Sequence, residues 1–233
     1  MAFVIPPMHP PSVAVSGGSL RFAVRRIFCV GRNYADHARE MGDDPDREPP
    51  FFFTKPADAV VPAEATIAYP PQTANLHHEA ELVVAIATGG TDIPASRAIG
   101  HVWGFAVGND LTRRDMQGEA KALRRPWDLS KGFDNSAVIG PLHPRSETGP
   151  MDRGAIRLDV NGALRQQGDL SQMIWPVADI IAFLSQSVAL APGDLIMTGT
   201  PAGVGPLEPG DLCTVTIDGL GSIATRIAPP GAA

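Results

Sequence analysis

Short apolar runs separated by turn residues set the pattern of this chain. Arg26-Ile27-Phe28-Cys29-Val30, Phe51-Phe52-Phe53, Val60-Val61, Leu82 to Ile86 and Val102 to Gly108 are rich in β-branched and aromatic residues, as strands are. So are Ile156 to Val160, Asp194 to Met197 and Val215 to Ile217. Asn161-Gly162 after one of these runs predicts a tight hairpin, and Asp218-Gly219 predicts another turn. Helical spacing is rarer. Ile180, Ile181, Phe183 and Leu184 mark an amphipathic helix over 177–188. Shorter helices are expected over 35–41, with Gly42 as the terminator, over 94–99, and within 111–123. Residues 1–24 read as a loose N-terminal extension with a hairpin near Ser16-Gly17-Gly18-Ser19. Residues 25–230 read as one further domain. Strand–helix units do not alternate regularly, which argues against a doubly wound sheet or a parallel barrel. The expectation is a strand-rich α+β fold with a few short helices.

The 233 residues carry a formal net charge of −6. Arg113, Arg114, Arg124 and Arg125 are dispersed among acids and apolar residues, so no nucleic-acid surface is expected. No apolar run is long enough to span a bilayer. Met1 to Pro7 lacks the basic start and apolar middle of a secretion signal. Cys29 and Cys213 each lie in a strand-like stretch, which fits buried free thiols in a reducing cytoplasm. Gly31 opens no dinucleotide fingerprint, and the glycine-rich segment 199–205 lacks the Lys-Ser/Thr ending of a phosphate loop.

Candidate chemistry gathers at strand ends. Glu79 and Glu81 stand two apart at the mouth of the Leu82–Ile86 run, a spacing that puts both side chains on one face of a strand. Paired carboxylates repel unless a cation lies between them, and hard divalent ions prefer such oxygen ligands. An exposed polar strand face is the ordinary alternative. Asp110 ends the 102–108 run and offers a third carboxylate, or a strand cap. His37 and Glu40, three apart on an expected helix, share a face. The acid can orient the ring as a base, or the two can be a surface pair. The 42–50 segment beside them suggests a lid.

Six ordered motifs together resemble the fumarylacetoacetate hydrolase family. They are Cys29 to Tyr34 with His37 and Glu40, Lys55-Pro56, Glu79-Ala80-Glu81, Gly108 to Asp115, Lys131 to Asp134, and Thr198 to Gly205. The likeness runs from about Phe28 to the C-terminus. Within the family, Met1 to Val4, Arg47 to Phe53 and Arg124 to Trp127 are most similar to bacterial fumarylpyruvate hydrolases of gentisate breakdown.

The resemblance implies a mixed, rolled β-sandwich, a homodimer, and Mg²⁺ or Mn²⁺, with Ca²⁺ a possible crystal substitute. Glu79, Glu81 and Asp110 match the metal ligands, and His37 and Glu40 the water-activating pair. Lys131 matches a substrate-contacting lysine, and Gln117 and Thr200 match substrate-binding positions. Arg32 is a charge-complementary candidate for a substrate's far carboxylate. Thr200 and its neighbouring N–H groups suit a pyruvyl carboxylate. The implied reaction is hydrolysis of a carbon–carbon bond in a small 2,4-dioxo acid, fumarylpyruvate first. Acylpyruvate hydrolysis, oxaloacetate decarboxylation, isomerisation of a 2-oxo acid and non-catalytic metal binding are the alternatives.

Overall fold

The apolar runs pair into sheets in the computed structural model of the chain, which describes residues 3–40 and 49–231. An eight-stranded mixed sheet has the order Phe51–Lys55, Arg26–Gly31, Asp194–Met197, Ala80–Ile86, Val102–Asp110, Ala137–Ile139 and Val60–Pro62. His143–Pro144 adds to it beside Val102–Asp110. A five-stranded sheet runs Ala163–Asp169, Ala155–Val160, Leu212–Ile217, Gly221–Ala228, Thr66–Ala68. The hairpin at Asn161-Gly162 and the turn after Ile217 form as expected. The small sheet Thr112–Arg113, Leu76–His78, Gly205–Pro206 closes one end.

Period-two alternation explains how one sheet serves two cores. From Ala80–Ile86, the side chains of Leu82, Val84 and Ile86 join Ile156, Leu158, Val215 and Ile227 of the five-stranded sheet in the sandwich core. Val83 and Ala85 point the other way, with Ile27, Cys29, Ala106 and Met197. A strand covered on both faces reads as an unbroken apolar run, and this one does. The helix Val177–Ser187 presses Val177, Ile180, Ile181 and Leu184 into the sandwich core. The hairpin Ser12–Ala14 with Arg21–Ala23 buries Val13 in the second core, and the Leu142 N–H donates to the Ala14 carbonyl at 2.8 Å. Cys29 and Cys213 are both buried and free. Among the described residues no helix is long and apolar enough to cross a membrane.

Gly104 is a point where this packing tolerates little change. A Cβ there would lie 2.1 Å from the carbonyl oxygen of His143, whose strand pairs alongside. Gly104→Ala is therefore expected to destabilise the fold by roughly 1–3 kcal/mol through overpacking. Chemical denaturation would read the loss, and an unchanged midpoint would show that the His143–Pro144 strand gives way freely.

Candidate active site

Two strands change sheets at the same level, and the acids sit at the change. The acid pair does not occupy one continuous strand. The chain leaves the small sheet after His78, passes through Glu79, and enters the large sheet at Ala80. Its neighbour does the reverse, ending in the large sheet at Asp110 and resuming in the small one at Thr112. Two hydrogen bonds staple the corner. The Asp110 N–H donates to the Glu79 carbonyl, and the Glu79 N–H donates to Asn109 Oδ1, both at 2.9 Å. Glu79, Glu81 and Asp110 are buried, and one oxygen of each lies within 4.8 Å of the others. The expected convergence is present, made by a sheet corner rather than by strand alternation alone.

Three cations hold this cluster. Lys131 Nζ donates to Glu79 Oε2 at 2.7 Å and to Asp110 Oδ2 at 2.8 Å. Arg114 donates to Glu79 Oε1 at 2.5 Å. Lys55 Nζ lies 2.7 Å from Asp110 Oδ1. Its ammonium also donates to the backbone carbonyls of Leu111 and Lys131, which fixes it beside the carboxylate. Burial opposes ionisation of Glu79, but the charges of Lys131 and Arg114 outweigh it and hold the carboxyl well below the usual range. Burial also opposes the charge on Lys131, and Asp110 and Glu79 reverse that balance and raise its pKa. Glu81 differs. Its donor is the Gly199 N–H at 2.8 Å. Burial, reinforced by Asp110 and Glu79, pushes its carboxyl well above the ordinary range.

An acid forced towards its neutral form by two neighbouring carboxylates, Asp110 and Glu79, marks a place where a further positive charge would be accommodated. The all-oxygen donor set fits a hard divalent cation. Glu81 is expected to release its proton when such a cation binds. Calorimetric titration with Mg²⁺ in two buffers of different protonation enthalpy would then give different apparent enthalpies. Equal enthalpies would mean that Glu81 is already ionised.

The cavity over the acids is walled by His37, Arg32, Gln117, Thr200, Trp127 and Lys131, among others. His37 is buried on the helix Ala35–Glu40, and its Nδ1 lies 3.3 Å from Glu40 Oε2. Glu40 in turn accepts from the Gly203 N–H at 3.1 Å. Burial lowers the His37 pKa, partly offset by the charge of Glu79 and the bond to Glu40. The ring is thus neutral near pH 7. Arg32 has a left-handed φ of 57° and lies over the Phe51 ring at 5.0 Å. Gln117 is buried and accepts from Arg114 at 2.6 Å. All nine residues singled out from sequence therefore belong to this site, eight on its wall or in its acid cluster and Glu40 behind His37. The expected helix end at Met41-Gly42 and all but the last two residues of the 42–50 lid segment lie outside the described residues.

Other features emerge only in three dimensions. Arg114 and Lys55 grip the acids, and Lys121, Phe53 and Trp127 help to wall the cavity. Arg113 and Arg114 are the nearest cations to Asp115 in sequence, but it pairs with neither. It accepts from Thr73 Oγ1 at 2.6 Å and the Ala74 N–H at 2.9 Å, fastening the loop before Leu76.

A rolled β-sandwich whose sheet corner presents three buried carboxylates to a cation-lined cavity defines a metal-binding enzyme of small molecules. Residues 26–228 match the fumarylacetoacetate (FAA) hydrolase C-terminal family, and the chain belongs to that family. It is similar to a crystal structure of fumarylpyruvate hydrolase from Pseudomonas aeruginosa in complex with Mn²⁺ and pyruvate. The TM-score is 0.96 at 52% identity, covering 98% of this chain and 100% of that one. A candidate fumarylpyruvate hydrolase from Burkholderia cenocepacia gives a TM-score of 0.92 at 58% identity, covering 98% and 99%. Oxaloacetate tautomerase YcgM of Escherichia coli strain K12 is 40% identical over 212 residues, 91% of this chain and 96% of that protein.

Proposed function

We propose that this protein is a divalent-metal-dependent hydrolase of a 2,4-dioxo acid, converting fumarylpyruvate and water to fumarate and pyruvate. The observation that carries the reading is a prepared base. His37 stands neutral in the cavity wall, Glu40 fixes its Nδ1 side, and Gly203 fixes Glu40. A tautomerase would use a base of the same kind, and the 52% identity to a fumarylpyruvate hydrolase over 98% of this chain favours hydrolysis.

Glu79, Glu81 and Asp110 would hold Mg²⁺ or Mn²⁺, which when bound supplies Lewis acidity and a chelation point for a 2-oxo carboxylate. His37 Nε2 takes a proton from the water that attacks the carbonyl beyond the pyruvyl unit. Nδ1–H to Glu40 holds the tautomer and supports the charged ring. The bond between that carbonyl carbon and the pyruvyl methylene then breaks. The electron pair leaves with the pyruvyl half as an enolate, and the proton on His37 passes to its carbon. Lys131, kept protonated by its two carboxylates, supplies positive charge against the developing anion. Gln117 and Thr200 position the pyruvyl end, and Arg32 suits the far carboxylate of a dicarboxylate substrate. The family resemblance also implies a homodimer, and the two buried free thiols fit a reducing cytoplasm.

The 40% identity to an oxaloacetate tautomerase supports a second reading, in which a shared pyruvyl-type site acts on oxaloacetate. Parallel assays with Mg²⁺ on fumarylpyruvate, acylpyruvates and oxaloacetate separate the two. Loss of the dioxo acid's ultraviolet absorbance with equimolar fumarate and pyruvate is expected. Rapid oxaloacetate tautomerisation with no dioxo-acid cleavage would overturn the hydrolase reading.

A further inference from the structure

Ala163–Asp169 is an edge strand of the five-stranded sheet, and most of its side chains meet solvent. Gln166 is the exception, at 1% exposure. A long amide is buried there only if its hydrogen-bonding groups are met, and here both ends are. Oε1 accepts from the Ala80 N–H at 3.0 Å and lies 3.1 Å from His78 Nδ1. Nε2 donates to the Pro201 carbonyl at 2.7 Å and to Thr200 Oγ1 at 2.8 Å. The orientation of the amide is not free. A backbone N–H can only donate and a backbone carbonyl can only accept, so Ala80 and Pro201 fix which end is which.

That assignment has a consequence for Thr200. Its hydroxyl oxygen receives the Gln166 N–H, so its own proton must turn to another acceptor. Thr200 is buried and lines the cavity above the acid cluster. We infer that Gln166 is a positioning residue that turns the Thr200 hydroxyl into the cavity as a hydrogen-bond donor for a substrate carboxylate. The inference rests on the proposed use of the site for 2-oxo acids, but not on which reaction they undergo.

The surrounding packing is built for this contact. The loop carrying Thr200 presses on the Gln166 strand so closely that a Cβ at Gly203 would lie 2.2 Å from the Arg165 carbonyl oxygen. The same loop sends the Gly199 N–H to Glu81. Through Ala80 and His78, Gln166 also grips both sides of Glu79. One side chain thus ties the proposed carboxylate donor to the corner that carries the acids.

The test is pyruvate binding at pH 8 with saturating Mg²⁺, read by calorimetry, alongside KM and kcat. Gln166→Glu replaces the donating amide with a group that accepts from Thr200, so the hydroxyl proton is drawn away from the cavity. Pyruvate affinity is expected to fall roughly tenfold or more, as loss of a hydrogen bond to a charged group implies. KM should rise more than kcat falls. Thr200→Val should lose as much, and Thr200→Ser, which keeps the hydroxyl, should lose little. The Gln166→Glu, Thr200→Val double variant should bind no more weakly than Thr200→Val alone. Additive losses would show that Gln166 acts on the fold and not through Thr200, and would overturn the inference. So would undiminished pyruvate affinity in Thr200→Val, even if Gln166→Glu fails to fold. Wild-type protein that ignores pyruvate would instead sink the 2-oxo acid reading itself.

Discussion

Asp110→Ala is expected to abolish divalent-cation binding and turnover together, and to cost the fold about 3–5 kcal/mol, the usual penalty for leaving a buried charge unpaired. The two losses have separate causes. Asp110 is fully buried, with Lys131 Nζ 2.8 Å from one oxygen and Lys55 Nζ 2.7 Å from the other. Its removal leaves the buried Lys55 charge with two backbone carbonyls and no carboxylate, and leaves Lys131 with Glu79 alone. It also removes one of three carboxylate donors. Because altering a group that merely supports a metal ligand costs about 10–100-fold in affinity, losing the ligand itself should exceed that. Adding Lys55→Met to Asp110→Ala should recover part of the stability and none of the cation binding. Thermal melts and Mg²⁺ titrations of both variants would read this. Wild-type Mg²⁺ affinity in Asp110→Ala would sink the ligand assignment.

The strands were legible because burial on both sides leaves its mark in the local sequence. Ala80–Ile86 has no solvent-facing position, so its residues read as a run whatever lies around them. His37 and Glu40 were legible for another local reason, since three residues along a helix returns a side chain to the same face. The sheet corner at Glu79 was not legible. Nothing in Leu76 to Ile86 marks a break, because the break is imposed by the partner strand, which changes sheets at Leu111. The roles of Arg114 and Gln166 were hidden for the same reason. Arg114 meets Glu79 across 35 residues of chain, and Gln166 meets Ala80 across 86. Their types suited a surface as well as a site, and only burial against particular partners distinguishes the two. Asp115 is the opposite case. Neighbouring arginines make an ion pair the natural guess, but Thr73 and Ala74, some forty residues away, supply its donors.

His37→Ala is expected to leave Mg²⁺ binding intact and to lower kcat by about 10²–10⁴-fold, the range for removing a general base. The neutral ring is the working form, so the pH profile should report it. Burial holds its pKa below the ordinary 6.5, and Glu79 and Glu40 only partly restore it. A lowered pKa means the ring takes its proton later as the solution is acidified. Activity should therefore be full above pH 6.5 and fall through a midpoint below it. Folding stability follows the same sign. The unfolded chain binds this proton more readily, so the contribution of the buried neutral ring is present above pH 6.5 and is lost on acidification. Glu40→Gln removes a carboxylate that favours the charged ring, so the acid limb should move to still lower pH while kcat falls. A limb that moved upward in Glu40→Gln, or His37→Ala enzyme with unchanged kcat, would remove His37 from the reaction. The acid limb vanishing in His37→Ala, with Mg²⁺ affinity untouched, would tie the proton to this ring and not to Glu81. Glu81 also prefers its neutral form, but its titration would alter cation binding as well.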